Sequence, residues 1–145
     1  MTTTWQNEEF IISTDRNRLQ IDEVYAYLSH SYWAAGRSQD VVKRSIQNSL
    51  CFGLFNPDRQ VGFARVVTDY ATFAYLCDVY VVEEYQGKGL GKWLMSVVMS
   101  HPDLQGLRRW SLATRDAHGL YRQHGFTELK SPEVWMEIFN PSTNE

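Results

Sequence analysis

Tyr85-Gln86-Gly87-Lys88-Gly89-Leu90-Gly91-Lys92 is the stretch on which the reading of this chain turns. Before it, Thr72 to Val82 is dense in β-branched and aromatic residues, a strand pattern. After it, a helix pattern runs from about Leu90 to Ser100, and His101-Pro102 ends it. A glycine-rich turn from strand to helix bares backbone N–H groups and aims them at the helix N-terminus. That geometry favours a phosphate or pyrophosphate. Glycine suits the turn because the backbone must approach the ligand closely and adopt positive φ. Lys88 and Lys92 add positive charge. Trp93 follows Gly91-Lys92 where a mononucleotide P-loop needs Ser or Thr, and the glycine spacing is not that of a dinucleotide fingerprint.

The flanks supply the fold. Phe10 to Ser13 reads as an opening strand. Asp15 precedes a helical pattern with Leu19, Val24, Tyr27 and Leu28 on one face, ending near His30. Ser31 to Gly36 is an aromatic loop, and Ser38 caps a second helix carrying Val41, Val42, Ile46 and Leu50. Leu50 to Phe55 and Val61 to Val67 form a hairpin around Asn56-Pro57-Asp58-Arg59. Beyond the glycine turn, Trp110 to Thr114 is a strand, and Asp116 caps a short helix reaching His124, with Gly125 as its stop. Phe126 to Leu129 and Val134 to Phe139 read as a closing pair of strands around Ser131-Pro132. The order β-α-α-β-β-β-α-β-α-β-β predicts an α/β protein. Its mixed sheet is antiparallel through the hairpins, has a right-handed parallel crossover, and carries helices on its faces.

With these elements in place, two motifs resemble the GNAT N-acetyltransferases. Gln86, Gly89 and Gly91 match the family's acyl-CoA pyrophosphate loop, Arg/Gln-x-x-Gly-x-Gly/Ala. About thirty residues on, Ala117-His118-Gly119-Leu120-Tyr121-Arg122-Gln123-His124-Gly125-Phe126 resembles its Ala-x-x-Leu-Tyr-x-x-x-Gly-Phe segment. Val79 to Tyr85 resembles the strand leading into the loop, and the element order fits over nearly the whole chain. The resemblance implies a central splayed sheet and acetyl-CoA as cosubstrate, with no metal. The backbone of Tyr80, Val81 and Val82 would bind the pantetheine arm, and Gln86 together with Gly87, Lys88, Gly89, Leu90, Gly91 and Lys92 the pyrophosphate. Tyr121 falls where the family places the acid that protonates the departing thiolate. Thr114 stands where many members carry a coenzyme-contacting Asn, with Asp116 or Arg115 as a substitute contact. The acceptor pocket would draw on Tyr32, Trp33 and Arg37, and on Asp69, Tyr70 and Phe73. Family members often pair through their sheets, which allows a homodimer.

Asp78 stands out without any resemblance, because a carboxylate within an apolar strand is costly unless paired or functional. Strand alternation puts Asp78, Tyr80 and Val82 on one face and Cys77, Val79 and Val81 on the other. Asp78 is therefore a candidate to orient or deprotonate an amine, or else to pair with Arg65.

Composition bounds the alternatives. The 145 residues are expected to form one domain, with Asn140 to Glu145 as a tail. A net charge of −3 speaks against a nucleic-acid partner. Cys51 and Cys77 sit in apolar segments without zinc or disulfide spacing and read as small buried hydrophobes. Neither a signal peptide nor a membrane span is readable, so a cytoplasmic location is expected. The sequence thus points to acetyl transfer onto a primary amine, preferentially of a small molecule. The competing readings are an acyl-CoA-binding sensor or assembly module without turnover, and a mononucleotide-binding regulatory domain.

Overall fold

The computed structural model describes residues 2–141. Its strands are β1 (Thr4–Asn7), β2 (Phe10–Ser13), β3 (Leu50–Phe55), β4 (Gln60–Thr68), β5 (Phe73–Val81) and β6 (Arg109–Leu112). Its helices are α1 (Ile21–Ser29), α2 (Gln39–Gln47), α3 (Leu90–Ser100) and α4 (His118–Arg122). The strands form one sheet in sequence order, antiparallel throughout except for the parallel pair β5–β6. That exception follows from α3, which carries the chain across one face of the sheet between β5 and β6.

The sheet separates two apolar layers. On one face, Ile12, Phe52, Leu54, Ala64, Val66, Ala74 and Leu76 pack with Leu90, Leu94, Met95 and Val98 of α3. On the other, Cys51, Phe55, Phe63 and Tyr80 pack with Val24 and Leu28 of α1 and with Val42 and Ile46 of α2. The amphipathic patterns of the three helices are satisfied by this sandwich.

β5 does not keep its alternation. Arg65 pairs with Cys77 and Phe63 with Tyr80, so three steps along β5 oppose two along β4. The extra residue is a β-bulge, and Asp78 sits in it with φ at 54°. Leu76 and Val79 consequently both pack against the α3 layer although they are three residues apart. The alternation expected for Asp78 to Val82 holds in the packing of Val79, Tyr80 and Val81, but it does not carry back through Cys77.

Three expectations need correcting. β1 was not anticipated; it pairs with β2 around a turn in which Glu8 has φ 55°. Its Thr-Trp-Gln-Asn sequence is too polar to announce a strand. The short helix α4 is capped by Ala117, not by Asp116, which is exposed. Thr114 Oγ1 accepts the Ala117 N–H at 3.2 Å. The closing strands at 126–129 and 134–139 do not form; only a 3-10 turn, Pro132–Val134, interrupts that stretch. Val134, Met136, Ile138 and Phe139 stay exposed, and of this segment Trp135 packs under the Arg109 guanidinium, 5.0 Å from the ring centroid. A strand needs a partner edge for its backbone groups, and among the described residues no strand pairs with the outer edge of β6.

Candidate active site

The site lies where β5 and β6 part. Their pairing runs from Phe73 opposite Arg109 to Leu76 opposite Leu112 and stops there. β5 continues to Val81, whereas the chain after Leu112 turns off through Ala113 to Ala117 into α4. The edge of β5 from Cys77 onward therefore has no strand opposite it on the β6 side among the described residues. The resulting gap opens into a cavity of about 450 Å³ lined by both diverging edges, by Tyr121, and by Trp33, Arg37 and Arg65. An extended ligand with amide groups can hydrogen-bond such an edge as an added strand does.

The glycine turn borders the same end of β5. Gly87 and Gly89 have φ of 78° and 81°, and Gly89 is the N-cap of α3 without a side-chain cap. A Cβ placed on Gly87, Gly89 or Gly91 would meet nothing within 4 Å, so the backbone there faces open space. The first turn of α3 holds no acidic residue. Exposed N–H groups at a positive helix end, free of competing carboxylates, fit a pyrophosphate. Gln86 Nε2 donates to the Val81 carbonyl at 2.8 Å, tying the turn to the end of β5, and the Lys88 ammonium lies 6.0 Å from the Tyr85 ring centroid.

Asp78 forms the floor of the cavity. Its side chain is 1% exposed, and Oδ2 accepts from Arg37 Nη1 and Arg65 Nε, both at 2.8 Å. Oδ1 accepts from Trp33 Nε1 at 2.9 Å, and Arg65 Nη1 donates to Ser49 Oγ at 3.0 Å. Three donors on its two oxygens leave this carboxylate little lone-pair capacity with which to approach an amine. Cys77, beside it, also lines the cavity. Burial pushes its thiol up to about 11, so it is a neutral and poorly nucleophilic group at physiological pH.

Tyr121 reaches the cavity from α4, with its ring edge-on to Phe126 at 6.0 Å. Burial, and secondarily Tyr32, raise its hydroxyl above the ordinary tyrosine value. It therefore remains a proton donor across the physiological range.

The loop between α1 and α2 crosses the mouth of the gap. The Arg115 backbone N–H donates to the Tyr32 hydroxyl at 3.0 Å, and the Arg115 guanidinium lies 3.8 Å from the Tyr32 ring centroid. Beyond this bridge is a second cavity of about 670 Å³, bordered by Glu23, Tyr27, His30, Tyr80 and Val82. Tyr80 is buried and stacks on Tyr27 at 3.9 Å and 9°.

The predicted acceptor residues divide into two groups. Tyr32, Trp33 and Arg37 are at the cavity. Asp69, Tyr70 and Phe73 are not brought to it: they occupy the β4–β5 turn at the N-terminal end of β5, and the gap opens at the C-terminal end. The five steps from Phe73 to Asp78 span roughly 16 Å of strand. Asp69 builds that turn, accepting the N–H groups of Ala71, Thr72 and Phe73 and the Thr72 hydroxyl. Tyr70, with φ 64°, lies near His101 and Ser49 instead. Sequence reasoning named Arg65 only as a partner for Asp78 and missed Tyr75 and Cys77. A lone arginine in the apolar run Val61 to Val67 is the same kind of signal that singled out Asp78.

Comparison with known proteins agrees with this geometry. The family model of the GNAT acetyltransferase domain matches residues 47–128. A Gibberella zeae protein named as an acetyltransferase is 34% identical over 140 residues, covering 81% of this chain and 78% of its own. A solved Xanthomonas campestris pv. campestris structure, assigned to the GNAT family as an acetyltransferase, is 53% identical. It superposes with a TM-score of 0.89 over 91% of this chain and 94% of that one. A Mycobacterium tuberculosis protein crystallised with CoA has the same fold, with a TM-score of 0.59 at 21% identity over 78% of this chain and 71% of its own. The chain belongs to the GNAT family of acetyltransferases, enzymes that depend on an acyl-CoA.

Proposed function

We propose that this protein transfers the acetyl group of acetyl-CoA to the primary amine of a small molecule in the gap between β5 and β6. The observation that carries the reading is the parting of these strands at Leu76 and Leu112, with Tyr121 on one side and the Asp78 cluster on the other. The unpaired edge from Cys77 to Val82 suits the pantetheine arm, and the open glycine turn suits the pyrophosphate. Backbone N–H groups of that edge provide fixed dipoles for negative charge developing on the thioester oxygen. The amine nitrogen attacks the thioester carbon, the C–S bond breaks, and Tyr121 gives its proton to the sulfur. The amine nitrogen loses one proton to solvent and solvent returns one to Tyr121, which restores the balance. Asp78 acts by holding Trp33, Arg37 and Arg65 in place, not as the base.

A small acceptor is favoured because the Tyr32–Arg115 bridge stands between two cavities of about 450 and 670 Å³ and breaks up what would otherwise be one extended groove. The test is thiol release from acetyl-CoA with amines, amino acids, polyamines and aminoglycosides, the product being identified by mass. Amine-dependent release is expected. Acetyl-CoA binding with no release for any small amine would overturn the small-molecule assignment.

A further inference from the structure

We infer that the acceptor carries a carboxylate beside its amine, and that Arg37 and Arg65 bind that carboxylate. This rests on the acetyl-transfer reading above. Both guanidiniums are largely buried, with side chains 11% and 13% exposed, and both line the cavity. Among the described residues each forms an ion pair with Asp78 alone. One carboxylate thus serves two cations, leaving the cluster with one uncompensated positive charge in a poorly hydrated place. Arg37 uses only Nη1 on Asp78, so the rest of its planar fork is available to a second carboxylate.

The anionic groups of CoA do not account for this charge. Arg65 lies between Ala64 and Val66 of β4, whose side chains point to the α3 layer. Arg65 therefore points to the α1–α2 side of the sheet, whereas the glycine turn leads into α3. The remaining walls suit an amino acid: Trp33 and Tyr75 give apolar surface, and beneath the loop Arg115 and Asp116 add one charge of each sign, so the lining keeps its single excess positive charge.

The test compares L-amino acids and ω-amino acids with their carboxamides as acceptors, reading kcat/KM by thiol release. Amide formation makes the amine less basic, which on its own favours the carboxamide. The expected result is nevertheless a preference for the acid of about tenfold or more, the scale of a charge-assisted hydrogen bond. Arg37→Gln and Arg65→Gln should bring the acid-to-amide ratio toward one, with the KM for acetyl-CoA as the control. Equal or better use of the carboxamides by the wild-type protein overturns the inference while leaving acetyl transfer intact, and it needs no variant to fold. Calorimetric titration of N-acetyl amino acids and their carboxamides into CoA-saturated protein separates the two readings. Selective binding of the acids without turnover upholds the carboxylate site and overturns acetyl transfer. Absence of binding by either, together with no preference in turnover, overturns the site.

Discussion

Tyr121 and Asp78 carry the two sharpest residue-level expectations. Removing the Tyr121 hydroxyl takes away the proxy proton source for the thiolate, so Tyr121→Phe should lower kcat by roughly a hundredfold or more while acetyl-CoA binding persists. An unchanged kcat would dismiss its role as the acid. The pH dependence has a definite sign. A general acid works only while protonated, and burial raises the Tyr121 hydroxyl above its ordinary value of 10.0. Tyr121 should therefore cause no fall in kcat below about pH 10, and any rise through neutral pH belongs to deprotonation of the amine. A falling limb near pH 8 that disappears in Tyr121→Phe would contradict this. Asp78→Ala leaves two buried guanidiniums without their counter-charge and should cost about 3 kcal/mol or more in denaturant unfolding. Asn adopts positive φ readily, so Asp78→Asn keeps the bulge geometry and isolates the loss of charge. The presence of Asp78 as an anomaly was legible from one charge in an apolar strand. Of its partners Arg65 was legible too, from the neighbouring strand, whereas Trp33 and Arg37 were not, because they lie 45 and 41 residues away in a loop that no local pattern ties to β5.

At the scale of elements, the glycine turn was readable because every determinant is local: a strand before, a helix after, and glycines at the positions that need positive φ. Gly89→Ala tests this directly. No atom obstructs a Cβ there, so the cost is the left-handed backbone itself, about 1 kcal/mol. Weaker acetyl-CoA affinity should accompany it; unchanged stability and affinity would show that the turn tolerates another conformation. The bulge in β5 was not readable, since one inserted residue leaves the composition of the strand unaltered while reversing which side chains face which layer. The same limit explains the misplaced half of the acceptor site. Asp69 to Phe73 adjoin β5 in sequence, but strand direction puts them at the opposite end from the gap. The closing strands failed for a related reason: Val134 to Phe139 has strand-like composition, but pairing depends on an available edge, which composition does not reveal.

For the whole molecule, the sheet order and the two layers follow from hairpins, one crossover and three amphipathic helices, all visible as patterns except the β1–β2 hairpin, whose first strand is too polar. What the patterns could not give is the place where the sheet stops being a sheet. The parting of β5 from β6 turns a stable sandwich into a binding site, and it arises from the bulge and from the departure of the chain after Leu112. A ligand bound across that gap stabilises the folded state, by about 2.7 kcal/mol at a hundredfold excess over Kd. The most direct measurement is amide hydrogen exchange with and without acetyl-CoA. The account predicts slowed exchange in Cys77 to Val82, in Gly87 to Lys92 and in Ala113 to Ala117, with the β4–β5 turn unaffected. Binding that protects other segments and leaves these three unchanged, or no binding at all, would contradict it.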